Sequence, residues 1–170
     1  IVVPMIMNAE EAKDTIASTR YPPLGKRGVS LARAQGYGAS FKDYFSWQSD
    51  INDGPVVIVQ IEHIDAVENL KNILNVEGVD AFFIGPYDLS CSMGIPGKFD
   101  HPKFKHVLNK IIDIRNDVGA VSGLHVVEPD IKQLCDAVKA GHKFIAYSVD
   151  IRMMDVTARH GLEEAKKLFQ

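Results

Sequence analysis

Pro55-Val56-Val57-Ile58-Val59-Gln60-Ile61-Glu62 (PVVIVQIE) is β-branched and almost wholly apolar until two polar side chains close it. A strand apolar on both sides is buried on both faces, the condition of a parallel sheet. Working outward, four further runs share this character: Ile1–Ile6, Asp80–Ile84, Ser122–Val127 and Lys143–Val149. Helical stretches lie between them. Asn8 is a good N-cap for a helix reaching Thr19, with Glu10 and Glu11 in its first turn. Ala66–Leu74 and Pro102–Asp117 follow, the second with Phe104, Val107, Leu108, Ile111, Ile112 and Ile114 near helical spacing. Pro129 is expected in the first turn of a helix running to Ala140, with Gly141 as its stop. Asp150–His160 and Leu162–Phe169 are expected as two helices broken near Gly161.

Strand–helix alternation of this kind makes an α/β fold with a parallel sheet covered on both faces. Two architectures accept it. One is an open doubly wound sheet. The other is a (β/α)8 TIM barrel, of which this chain would supply the last five βα units. A first residue, Ile1, inside a strand-like run favours the barrel, with its N-terminal units outside residues 1–170. The 170 residues, 46% apolar and 24% charged, then form one domain, the C-terminal part of that barrel.

Nineteen basic against 22 acidic residues leave a net charge of −3, which argues against a nucleic-acid partner. No apolar run approaches the ~20 residues that span a bilayer, so no membrane partner is expected. Cys91 and Cys135 show neither metal-ligand spacing nor disulfide density, which suits a reducing, cytoplasmic setting; both are expected as plain small hydrophobes.

Chemistry concentrates where strands end. Alternation along Gln60-Ile61-Glu62 puts Gln60 and Glu62 on one face, at the strand end where α/β proteins place their sites. Asp88, in Gly85-Pro86-Tyr87-Asp88-Leu89-Ser90, stands just past the next strand. Neighbouring strands lie ~4.8 Å apart, so two such carboxylates can converge on one cation at ~2.1 Å. With no His or Cys required, Mg²⁺ or Mn²⁺ is favoured over zinc, and Co²⁺ is also compatible with oxygen donors. The first turn after Gly85-Pro86 also offers free N–H groups to a carboxylate. The plainer alternatives are that Glu62 caps the next turn and that Asp88 is an N-cap with a capping Ser90.

VQIE, GVDAFFIGPYDLSCSMG and the following HP occur in order, with VVPMIMNAEEA, RYPPLGKRG, ARAQGYG and YSVDIRMM around them. Together they resemble the HpcH/HpaI aldolases over nearly the whole chain. The resemblance implies that Glu62 and Asp88 ligate a divalent metal, and that Gln60 holds a metal-bound water or the keto acid. It implies that the backbone N–H groups of Tyr87 and Asp88 take the substrate carboxylate. It further implies a (β/α)8 barrel whose last helix swaps between neighbours in a trimer-based hexamer. The implied reaction is reversible cleavage of a 4-hydroxy-2-oxo acid to pyruvate and an aldehyde, the cation absorbing the enolate charge. The family's His base and its Arg belong to strands upstream of Ile1, so neither catalytic role is assigned within this chain.

Six histidines remain. His63 is expected to face away from Glu62, and His101 to cap a helix. His106, His142 and His160 are expected at the surface or at helix ends. His125 is either a packing residue or part of the aldehyde pocket. In the loop Arg20–Gly28, Arg20 and Arg27 are expected as structural ion-pair donors, the alternative being that Arg27 steers an anionic substrate. Trp47 is expected in packing or a subunit contact. Against the lyase stand two other classes: a non-catalytic barrel-derived module that binds metal and oxo acid, and a metal-free doubly wound binding domain.

Overall fold

The computed structural model describes residues 1–47 and 54–169. The side chain of Trp47 falls outside the described residues. Five parallel strands form one sheet: β1 (Val2–Val3), β2 (Ile58–Ile61), β3 (Ala81–Ile84), β4 (Ser122–Val126) and β5 (Phe144–Tyr147). Their spatial order is β1-β2-β3-β4-β5, each strand beside its successor. A doubly wound sheet needs a point where strand order reverses. This sheet has none, so its topology is that of a (β/α) barrel wall and the open-sheet alternative is set aside.

The helices are α1 (Ala9–Thr19), α2 (Phe41–Trp47), α3 (Ile64–Glu68), α4 (Leu70–Leu74), α5 (Pro86–Ser92), α6 (Pro102–Val118), α7 (Ile131–Lys139) and α8 (Asp150–Lys167). A 3₁₀ segment, Arg33–Gly38, and α2 lie between the Arg20–Gly28 loop and β2, in a stretch for which the sequence predicted no element. Each strand puts alternate side chains on opposite faces. Val57, Val59, Ile61, Phe82 and Ile84 pack with Ala12, Ile16, Leu70, Ile73, Phe104 and Ile111 of the helices into the main core. The other face carries a small cluster of strand residues, Ile58, Ala81 and Phe83, with Ala146 packed against it. The helices therefore cover one face of the sheet rather than both, as a barrel requires of its outer surface.

Local chemistry sets the helix ends. Asn8 Oδ1 accepts the Glu11 N–H at 2.9 Å, while Glu11 Oε2 accepts the Met7 N–H at 2.7 Å. His101 Nδ1 accepts the Lys103 N–H at 3.1 Å, Pro102 opens α6, and Gly119 ends it at φ 68°. Asp130 Oδ1 accepts from both Lys132 and Gln133, so α7 begins at Ile131. Pro129 consequently lies before the cap, not in the first turn. α8 runs unbroken through Gly161, because one helical glycine costs only about 1 kcal/mol relative to alanine. Among the described residues, no helix is long and apolar enough to cross a membrane.

Candidate active site at the strand ends

Glu62 directly follows β2 and is 4% exposed. Its Oε2 accepts from Gln60 Nε2 at 2.6 Å, so the two side chains share a face as alternation predicts. Its Oε1 accepts the backbone N–H of Met5 at 2.9 Å. Met5 sits in the left-handed region at φ 56°, a conformation unfavourable for a side chain of this kind. That turn delivers the N–H to the carboxylate. Burial raises the proton affinity of Glu62, the Met5 N–H opposes it, the Asp88 charge raises it again, and the Gln60 amide opposes that.

Gly85 makes room for this pair. A Cβ there would lie 2.7 Å from Glu62 Oε2 and 2.9 Å from Gln60 Nε2. Both side chains therefore lean from β2 across the end of β3, into space that only glycine leaves open. Pro86 then opens α5 with Gly85 at the cap position. The first closed turn is Leu89 N–H to Gly85 O, 3.0 Å. The N–H groups of Tyr87 and Asp88 precede it, as first-turn donors without a helical acceptor.

Asp88 lies inside α5 and is exposed, so it is not the N-cap. Nor does Ser90 cap it: Ser90 Oγ donates to Tyr87 O at 2.7 Å and accepts the Gly97 N–H at 2.9 Å, tying down the following loop. The Tyr87 ring meets Phe99 edge-on at 4.9 Å between centroids. Glu62, likewise, caps no turn. His63 does so, its Nδ1 accepting the Asp65 N–H at 3.2 Å.

The donor set is two carboxylates plus an amide oxygen, which is hard-cation chemistry. The raised proton affinity of Glu62 fits it: a cation relieves the burial and repulsion that disfavour two nearby negative charges. Among the described residues no group of three or more His, Cys, Asp and Glu side chains is placed to hold a metal. A cation here would take its further ligands from water or substrate.

Other expectations are corrected. His142 is buried at 8% exposure rather than lying on the surface. Cys91 and Cys135 are exposed thiols, not small core hydrophobes. Arg20 and Arg27, by contrast, make structural contacts as expected: Arg20 is buried, its Nη1 donating to Thr19 Oγ1 and Pro55 O at 3.1 Å each, and Arg27 lies 4.8 Å over the Tyr21 ring. Sequence reasoning missed the Met5 N–H. Nothing in a methionine announces it, because the contact depends on a positive φ at Met5.

A family model described as HpcH/HpaI aldolase/citrate lyase matches residues 1–155. The 2-keto-3-deoxy-L-rhamnonate aldolase of Escherichia coli (strain K12) is 39% identical over 152 residues, covering 88% of this chain and 55% of that protein. This chain thus spans about half the length of the curated relatives it matches. The crystal structure of an HpcH/HpaI aldolase/citrate lyase family protein from Burkholderia cenocepacia J2315 superposes with TM-score 0.87 at 28% identity, over 97% of this chain and 64% of that one. An HpcH/HpaI aldolase from Desulfitobacterium hafniense DCB-2 gives TM-score 0.81 at 30% identity, over 97% and 62% of the two chains.

Proposed function

Because the chain belongs to the HpcH/HpaI aldolase/citrate lyase family, we propose that it is the metal-binding, C-terminal part of a barrel lyase. The reaction is reversible cleavage of a 4-hydroxy-2-oxo acid to pyruvate and an aldehyde. The proposed substrate class is 2-oxo-3-deoxy sugar acids or 4-hydroxy-2-oxo diacids, and the name of the 39%-identical relative supports the first of these. The observation that carries the proposal is the buried Glu62 carboxylate, leaning with Gln60 across Gly85 toward the start of α5 where Asp88 stands.

In this proposal Glu62 and Asp88 hold Mg²⁺, Mn²⁺ or Co²⁺. When bound, the cation supplies Lewis acidity worth several kcal/mol to the developing enolate charge. The chain's own residues do the rest. The first-turn N–H groups of Tyr87 and Asp88 receive the substrate carboxylate, where the helix end favours negative charge. Gln60 gives its Nε2 to Glu62 and keeps its Oε1 for a water or the oxo acid. The Met5 N–H holds Glu62 Oε1 in place, leaving further lone pairs for the cation. The general base and the enolate-facing Arg are taken to come from βα units outside residues 1–170.

Assembly as a trimer-based hexamer with an exchanged last helix belongs to the same proposal. It is supported by α8, which buries no residue and exposes Ile151, Met154 and Leu162 at 67%, 68% and 63%. A cytoplasmic location is proposed on the unpaired cysteines.

Pyruvate release by the full-length protein, coupled to lactate dehydrogenase with and without EDTA, tests the lyase. Release that EDTA abolishes is expected. Oxalate binding without turnover would instead identify the non-catalytic module. Glu62→Ala and Asp88→Ala are each expected to abolish Mg²⁺ binding by calorimetry while leaving the circular dichroism spectrum intact. Full metal affinity in either variant refutes the ligand assignment.

A further inference from the structure

α5 carries Asp88 but is only seven residues long, Pro86–Ser92. A helix of about two turns has little stability of its own, so its placement depends on what its ends are tied to. At the front the chain enters from β3 through Gly85 and Pro86, and the Leu89 N–H closes on Gly85 O at 3.0 Å. At the back the tie is Ser92. Its Oγ donates to Leu89 O at 2.7 Å and accepts the backbone N–H of Ile64 at 3.0 Å. Among the described residues no other side-chain hydrogen bond joins α5 to a neighbouring helix.

Both ends of that bond stand close to a carboxylate of the site. Ile64 opens α3, two residues past Glu62. Its N–H is one of the first-turn donors that a helix cannot satisfy internally. His63 takes the next of them, from Asp65, and Ile64 is left to Ser92. Ser92 lies four residues after Asp88, so the two share a face of α5.

The ladder between β2 and β3 ends with the Gly85 N–H on Ile61 O at 3.3 Å. Past that point two rungs span the strand ends. One is electrostatic and repulsive, the charge of Asp88 felt at Glu62. The other is the hydrogen bond from Ile64 to Ser92. The first pushes α5 outward about Gly85 and Pro86, and the second holds it in. Both partners of the bond sit on adjacent βα units of this chain, so the contact is complete without any unit outside residues 1–170.

On the Glu62–Asp88 ligand pair of the proposed function, on which this inference rests, we infer that Ser92 is a positioning residue. Its hydroxyl brackets α5 to the segment following β2 and keeps Asp88 turned toward Glu62 against their repulsion. The role belongs to the bond, so it is lost equally when the acceptor or the donor is removed.

The test is calorimetric Mg²⁺ affinity of the full-length protein without substrate, at a temperature where urea unfolding shows every variant fully folded. Ser92→Ala is expected to weaken Mg²⁺ binding about tenfold, the scale of losing a group that orients a metal ligand. Ile64→Pro removes the donor at a first helical position, after an extended His63, where proline is tolerated. It is expected to weaken Mg²⁺ similarly, and the double variant to fall within about twofold of Ser92→Ala, since one bond is lost in all three. Ser92→Thr keeps the hydroxyl and is expected within about twofold of the parent. Ser18→Ala is expected to match the parent, because the Ser18 hydroxyl bonds back only to Asp14 O of its own helix. A merely structural serine would lower the unfolding midpoint and leave the affinity unchanged. That result, losses that multiply in the double variant, or a Ser92→Thr as weak as Ser92→Ala overturns the inference while metal binding by the parent stands. A parent that binds no Mg²⁺ removes the ligand pair first, and the bracket with it.

Discussion

At the C-terminal end of the strands Glu62 is buried at 4% exposure, and burial raises its proton affinity; at the N-terminal end His142 is buried at 8%, and burial lowers its own. The cause is the same and the surroundings differ. His142 Nδ1 lies 3.0 Å from Ser122 Oγ, which accepts from Arg115 Nη1 at 3.2 Å, and the same Nη1 donates to Ala140 O at 2.9 Å. That lower cluster keeps its histidine neutral and is closed by groups of this chain. The upper cluster keeps a second carboxylate near the first, holds Met5 at a positive φ, and leaves His125 Nε2 and Ser148 Oγ without a hydrogen-bond partner among the described residues. A polar group that the fold completes by itself serves stability. One that the fold leaves incomplete is available to a ligand, in line with the usual division of a barrel into a stabilising bottom and a chemical top.

Gly85→Ala gives the sharpest test of that division. Its methyl would sit 2.7 Å from Glu62 Oε2 and must push the carboxylate aside. Misplacing a positioned group by about 1 Å costs on the order of 100-fold in rate. A loss of kcat/KM of that size is expected, together with weakened Mg²⁺ binding and an unfolding midpoint close to the parent's. Near-parent activity would mean that the lean across Gly85 has no functional weight.

Ser122→Ala is the matching change at the other end. It leaves the buried His142 Nδ1 and one Arg115 donor short of a partner, a cost of about 1–3 kcal/mol. Urea unfolding is expected to show that loss, while kcat/KM per folded molecule stays within twofold. A variant of unchanged stability but reduced turnover would break the contrast between the two ends.

The sequence carried the upper site better than the lower one, for a physical reason. Gln60 and Glu62 declare themselves because strand parity alone places them together, and Asp88 because Gly85-Pro86 stops the strand just before it. Residue type and local spacing suffice to place these side chains at the strand ends; their roles as ligands came only from the family resemblance. Gly85 was legible as a stop but not as a gap, because the gap depends on how two side chains of the adjacent strand lean. His142 was misjudged because its partner Ser122 lies 20 residues away and meets it only once β4 and β5 pair. Its own neighbours, Gly141 and Lys143, suggest only a helix end. In the fold the strands and most helices followed from periodicity. Gly161 misled because glycine's helical penalty is small beside the continuity of an 18-residue helix.

The smallest expected effect is in pH dependence and sits wholly in the lower cluster. His142 starts from an ordinary value of 6.5, lowered in the fold first by burial and then by the charge of Arg115. Below pH 6.5 the unfolded chain takes up a proton at this imidazole that the folded chain resists. The unfolded state then binds more protons, so stability rises with pH through this window. The contribution is complete above the unfolded value and is lost as pH falls from it toward the folded one. One group can give at most about 1.4 kcal/mol per pH unit. His142→Gln cannot titrate there. The difference in unfolding free energy between parent and variant, measured by urea from about pH 7.5 to about pH 5.5, cancels the carboxylates that both share. It is expected to shift in favour of the variant as the solution becomes acid. A difference constant across that range would mean that His142 protonates as readily in the fold as out of it, and that the lower cluster is not the closed, neutral network its hydrogen bonds describe.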